Sequence, residues 1–349
     1  MSFDSEILFE RRGAAGMVTL NRPQALNAVT HGMVRALRAQ LDRWRDDSAV
    51  TRVVVAAAGG RAFSAGGDLR ALYDLGRAGR YEEACDFWRD EYALNAAIKH
   101  YPKPYVALID GIVMGGGVGV SIHGSHRVAG DRFQFAMPEV GIGFFPDVGA
   151  TWFLPRLPGE LGAFCALTAE RLRADDAVAS GVATHRVRSE RFAALIDGLA
   201  GSVSVDALIA AFAEPVGEGP VTQMRDAIDR HFAAEKVEDI LARLDTGDAA
   251  AQALAATIRA KAPLSLKIAL AQMRRGPHWS FDDCMRAEFR IVSRIVRGVD
   301  FYEGVRAVIV DKDNAPRWRP ARLEDVADAE VERHFAPLDR ELVLSRTIG

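Results

Sequence analysis

Apolar and polar positions along this chain fall into two textures. Up to about residue 200, short apolar runs alternate with glycine-rich turns. Residues 16–20 predict a short strand ending at NRP (21–23), a turn that proline supports. Thr30 then precedes Met33, Leu37, Leu41 and Trp44, which share one face at helical spacing and predict a helix with Thr30 as its N-cap. TRVVVAAA (51–58) and PYVALID (104–110) are continuous apolar runs, the pattern of strands covered on both faces. Strand, glycine turn, helix and strand in alternation predict an α/β fold built from crossover units.

Beyond about residue 200 the pattern becomes helical. Val237, Ile240, Leu241 and Leu244 recur at helical spacing, and Leu264 to Met273 is a run of helix formers. Ser280 with Asp283 reads as a capping box ahead of a helix over 284–296, PRWRP (316–320) reads as a stop, and GEGP (217–220) is the best interior linker. The predicted division is 1–200 as an α/β core and 201–349 as a mainly helical region.

Composition narrows the function classes. Of the 349 residues, 49% are apolar and 26% charged, which is ordinary for a globular protein with a large core. A net charge of −3 gives no general attraction to nucleic acid or anionic membrane, so any phosphate contact must be local. Cys85, Cys165 and Cys284 are far apart and odd in number, which argues against a disulfide framework and for buried thiols. The N-terminal segment is acidic where a secretory signal would be basic, and no apolar run reaches membrane-spanning length. The expected compartment is the cytoplasm.

Two glycine-rich turns follow predicted strands, AFSAGGDL (62–69) and GIVMGGGVG (111–119). If a helix starts at each, its unpaired N–H groups point into the gap, and one from each turn could grip an oxygen that gains charge. The plainer reading is two tight turns that allow close helix–strand packing. Neither matches the Walker or dinucleotide fingerprints.

The segment FQFAMPEVGIGFFPDVG (133–149) carries Glu139 and Asp147 in an otherwise apolar run. Carboxyls in such a setting are costly unless paired or functional, and desolvation raises their pKa. Proline and glycine bends between them could bring the two to one substrate; the plainer reading is two loop carboxylates capping backbone N–H groups. No nucleophile elbow surrounds Ser64 or Ser121, and no metal-binding spacing is present; His123, His126 and His185 read as structural.

Together NRPQALNA (21–28), AGGD (65–68), MGGG (114–117) and MPE (137–139) resemble the crotonase (enoyl-CoA hydratase/isomerase) superfamily. MGGGVGVSIHG (114–124), residues 127–149, LTAERL (167–172), GVATH (181–185) and DFYEGVRAVIVDKD (300–313) are similar to its 3-hydroxyisobutyryl-CoA hydrolase branch. The resemblance implies a spiral of ββα units in two roughly perpendicular sheets, followed by a helical region. It places oxyanion donors on the Gly67 and Gly116 N–H groups and a coenzyme A channel along Ala25, Leu26, Ala28, Ala65 and Gly66. It gives Glu139 and Asp147 the catalytic roles and Glu91 a substrate-binding one. Hydratases of the superfamily keep a glutamate two residues after the GGG turn, where this chain has Gly119. The implied reaction is hydrolysis of a short branched 3-hydroxyacyl-CoA thioester, 3-hydroxyisobutyryl-CoA in valine degradation. No metal or separate cofactor is implied, coenzyme A being part of the substrate; a trimer-type homo-oligomer is. Hydration or isomerisation on the same fold, and non-catalytic acyl-CoA binding, are the alternatives.

Overall fold

The structure, a computed structural model, describes residues 5–344. Residues 1–4 of the acidic N-terminal segment, and 345–349 at the end of the region expected to be mainly helical, lie outside the described residues.

Strands β1 (Ile7–Arg12) and β2 (Ala15–Leu20) form an antiparallel hairpin. From there strands come in pairs: β3 (Arg52–Ala57) with β4 (Ala62–Ser64), β5 (Tyr105–Ile109) with β6 (Ile112–Met114), and β7 (His126–Ala129) with β8 (Gln134–Ala136). The first of each pair joins one sheet and the second joins another. The larger sheet runs β1-β2-β3-β5-β7-β10, with β10 at His185–Arg186; the smaller runs β4-β6-β8-β9, with β9 at Leu172–Arg173. Within both sheets the paired crossover strands are parallel. This is the two-sheet ββα arrangement that the resemblance implied.

Burial explains the continuous apolar runs. In β3, Val53 and Val55 face the main core, while Val54 faces a second cluster formed with Val106, Leu108 and Leu195. That second cluster lies under helices Phe192–Leu199 and Val205–Phe212, so the larger sheet is covered on both sides. Helix α1 (His31–Asp46) buries Met33, Leu37, Leu41 and Trp44, and Thr30 caps it by accepting the Met33 N–H at 3.2 Å.

Helices α2 (Leu69–Arg77) and α3 (Tyr81–Lys99) fill the connection between β4 and β5. Past β10, every regular element among the described residues is helical. Helix Pro263–Arg275 covers the predicted run, and Ser280 caps helix Phe281–Ile295, which starts three residues earlier than the capping box suggested. Composition marked GEGP (217–220) as a linker. The chain there is tied down, because the Val221 and Thr222 N–H groups donate to Asp176 at 3.0 and 2.9 Å.

Candidate active site

The smaller sheet delivers both glycine turns to one place. After β4 the chain turns through Gly66, with φ of +123°, and after β6 through Gly115, with φ of +45°. Both dihedrals lie in the region that glycine enters without a Cβ clash. At the first turn the helix starts late: Asp68 caps α2 by accepting the Ala71 N–H at 3.2 Å. At the second it starts at once, as the short α4 (Gly116–Gly119). A Cβ built on Gly116 would lie 3.2 Å from the Gly67 nitrogen and 2.7 Å from Glu91 Oε1. The two amides and the Glu91 carboxyl therefore border one small space. Among the described residues neither the Gly67 nor the Gly116 N–H has an acceptor.

The stretch proposed for coenzyme A lies alongside. Ala65 donates its N–H to Leu26 O at 3.0 Å, and Val29 donates to Gly66 O at 2.8 Å. Leu26 and Asn27 have φ of +51° and +55°, a kink that Asn27 locks by donating to Ala58 O and Ala62 O, each at 2.9 Å. Ala28 in turn donates to Ala25 O at 3.0 Å. Ala65 and Gly66 line the central cavity, whereas Ala25, Leu26 and Ala28 stand beside it.

That cavity, of about 60 Å³, is lined by Gly67, Gly116, Glu91, Glu139 and Asp147 on its polar side and by Leu69, Leu72, Phe87, Trp88, Ile142 and Phe144 elsewhere. Glu91 comes from α3, Glu139 from the turn after Pro138, and Asp147 from the loop ahead of helix Ala150–Phe153. All of the residues singled out for chemistry thus meet.

Among the described residues, no arginine, lysine or histidine lines the cavity. Desolvation therefore dominates the electrostatics. Burial, reinforced by the charges of Asp147 and Glu288, pushes the Glu91 and Glu139 carboxyls well above the usual range. Burial also raises Asp147 to about 7, against a hydrogen bond from Tyr92 that pulls it down. Tyr92 Oη donates to Asp147 Oδ2 at 2.9 Å. Glu91 Oε1 and Glu139 Oε2 are buried and have no hydrogen-bond partner among the described residues.

Gly119 sits where the hydratases keep their second acid, and the space is taken. A Cβ there would lie 2.7 Å from Asn95 Nδ2 and 2.9 Å from Val148 Cβ. His123 and His126 lie outside the cavity lining, in hydrogen bonds of their own. His123 Nε2 meets Val148 O at 2.7 Å, and burial pushes its pKa down to about 3, so it stays neutral. His126 pairs with Asp206 at 2.8 Å. The three cysteines are free and buried.

Buried polar residues next to the cavity that the sequence pattern did not reveal include Tyr92, Asn95, Gln272 and Glu288. One signal pointed to Glu288. It interrupts the apolar face formed by Cys284, Met285, Phe289 and Val292, where a charge is costly unless it is used.

The sequence profile of a family described as "Enoyl-CoA hydratase/isomerase" matches residues 15–335. The chain belongs to the enoyl-CoA hydratase/isomerase, or crotonase, family. Among its relatives, the 3-hydroxyisobutyryl-CoA hydrolase of Danio rerio is 46% identical, over 97% of this chain and 92% of that protein. The Homo sapiens protein of the same name is 42% identical, over 95% and 89%. Among solved structures, a carnitinyl-CoA dehydratase from Mycobacterium thermoresistibile superposes with a TM-score of 0.94 at 42% identity, covering 98% of this chain and 99% of that one. An enoyl-CoA hydratase from Rhodobacter sphaeroides 2.4.1 gives 0.91 at 39% identity, covering 97% and 100%. The two vertebrate hydrolases are named as mitochondrial, which differs from the cytoplasmic compartment expected from sequence. Among the described residues, no helix of this family member is long and apolar enough to cross a membrane.

Proposed function

We propose that this protein hydrolyses the thioester of a short branched 3-hydroxyacyl-CoA, with 3-hydroxyisobutyryl-CoA as the leading substrate. One observation carries the reading. Glu139 and Asp147 share a cavity with the Gly67 and Gly116 amides, while position 119 has no room for the acid that hydration needs. The names and near-complete coverage of the vertebrate relatives support the same substrate.

In this scheme the thioester carbonyl oxygen takes hydrogen bonds from the Gly67 and Gly116 N–H groups, which stabilise the charge of the tetrahedral state. Glu139 supplies the nucleophilic oxygen, either as its own carboxylate or through a water that it deprotonates. Its raised pKa makes the ionised form a stronger base. The new carbon–oxygen bond forms as the carbon–sulfur bond breaks; on the direct route a water then cleaves the mixed anhydride on Glu139 to release the acid, and on either route a proton from the consumed water ends on the thiolate, which leaves as free coenzyme A. Asp147, tethered by Tyr92, orients the attacking group. Glu91 Oε1 receives the 3-hydroxyl of the acyl group. The coenzyme A arm runs along the paired backbones of Ala25–Ala28 and Ala65–Gly66, and it enters as part of the substrate rather than as a separate cofactor.

A second reading, hydration or dehydration on the same fold, draws support from the names of the two solved structures. One experiment separates the two. Purified protein is mixed with 3-hydroxyisobutyryl-CoA and with crotonyl-CoA, and free thiol and enoyl absorbance are followed separately. Thiol release from the first, abolished by Glu139→Gln with acyl-CoA binding kept, is the expected result. Absorbance loss from crotonyl-CoA without thiol would replace hydrolysis with hydration.

A further inference from the structure

Asp147 stands at the head of a turn that the backbone does not favour. Val148, the next residue, has φ of +53°, and Gly149 has φ of +89°. Left-handed geometry crowds the branched Cβ of valine, so such a residue rarely adopts it unless the surroundings impose it.

Two helices from beyond residue 260 impose it here. From Pro263–Arg275, Gln272 donates through Nε2 to Pro146 O at 2.8 Å and to Thr151 Oγ1 at 2.7 Å. From Phe281–Ile295, Glu288 accepts the Gly149 N–H at 2.7 Å on one carboxyl oxygen and the Thr151 N–H at 2.9 Å on the other. Gln272, Glu288 and Thr151 are completely buried. His123 takes up Val148 O between them. The chain is held just before Asp147, at Val148, and at Gly149.

Glu288 is a costly residue for this place, because burial and the Asp147 charge push its pKa up to about 8. A glutamine would fit the same volume. Against the ionised carboxyl, which meets both N–H groups with acceptors, it would turn a donor toward one of them. Glu288 does not line the cavity, so it does not touch the substrate.

We infer that Glu288, with Gln272, is a positioning residue: it braces the left-handed Val148–Gly149 turn and so aims the Asp147 carboxyl into the cavity. The kinetic side of this inference rests on the hydrolase reading; the bracing itself does not.

Glu288→Gln in the full-length protein tests it. Misaiming a reacting group costs up to about 100-fold in rate, so kcat for thiol release should fall at least about tenfold while KM moves less than about threefold. Hydrogen exchange at the Gly149 and Thr151 amides should accelerate. Val148→Gly supplies a second arm, because glycine adopts this φ unaided. In that background Glu288→Gln should cost less than about threefold in kcat. A kcat within about twofold of the parent, or an equal loss in both backgrounds, overturns the inference. Should Glu288→Gln not fold, Gln272→Leu removes the other brace and is read in the same way. A parent enzyme that releases no thiol counts against the hydrolase reading alone, and amide exchange then decides the brace.

Discussion

Tyr92 and Asp147 are joined by a 2.9 Å hydrogen bond at a cavity that, among the described residues, no arginine, lysine or histidine lines. In such a place burial pushes a carboxyl up and a neutral donor pulls it partly back. The bond from Tyr92 favours ionised Asp147, against the desolvation that disfavours it.

Tyr92→Phe should therefore raise the Asp147 pKa further above 7 and move the acid limb of the kcat/KM profile to higher pH. The fold should lose about 1 kcal/mol, the usual worth of one hydrogen bond. A pH–rate profile on both proteins checks this, and superimposable acid limbs would count against a role for Asp147 in turnover.

Gly116→Ala tests the amide cradle. The added methyl would meet Glu91 Oε1 at 2.7 Å and the Gly67 nitrogen at 3.2 Å. Alanine keeps the N–H but its methyl pushes the amide or the carbonyl oxygen out of place, so thiol release should drop by about 100-fold, the usual cost of misplacing a reacting group by about 1 Å. Turnover within tenfold of the parent would refute the placement of the carbonyl oxygen between Gly67 and Gly116.

Asp147→Asn should change how stability depends on pH. The folded state raises this carboxyl to about 7, so folding favours its proton. The stability it contributes is complete below the unfolded value of about 4 and is lost as pH rises through about 7. Asparagine cannot ionise, so melting temperatures of variant and parent should diverge in the variant's favour between pH 5 and pH 8. A constant difference across that range would contradict the raised Asp147 pKa.

Gly119→Glu should not create a hydratase. Asn95 and Val148 already occupy the position, and forcing atoms into a packed core costs about 1–3 kcal/mol or more. The expected variant is destabilised and leaves the absorbance of crotonyl-CoA unchanged. Gain of enoyl hydration by this single substitution would show that the neighbours yield.

Much of this protein was legible along the chain because short-range patterns carry it. The apolar faces of α1 and of the helices near residues 240 and 270, the two strands buried on both sides, and the glycine turns all follow from residue spacing and backbone sterics. Glu139 and Asp147 stood out as carboxyls in an apolar run. What spacing could not give was convergence. Glu91 entered through the family resemblance, since the apolar pattern of α3 had not been read as a helix; that helix is needed to bring Glu91 within reach of Gly116. Tyr92, Gln272 and Glu288 lie 55, 126 and 139 residues from the positions they hold, or nearly so, and no local period connects them. The sequence by itself determined the elements, the glycine turns and the loss of an acid at position 119. Only the tertiary structure decided that Asn95 and Val148 fill that loss, and that helices past residue 260 brace Asp147. Local patterns set what each segment becomes, but burial and hydrogen bonding between distant segments set where the chemistry meets.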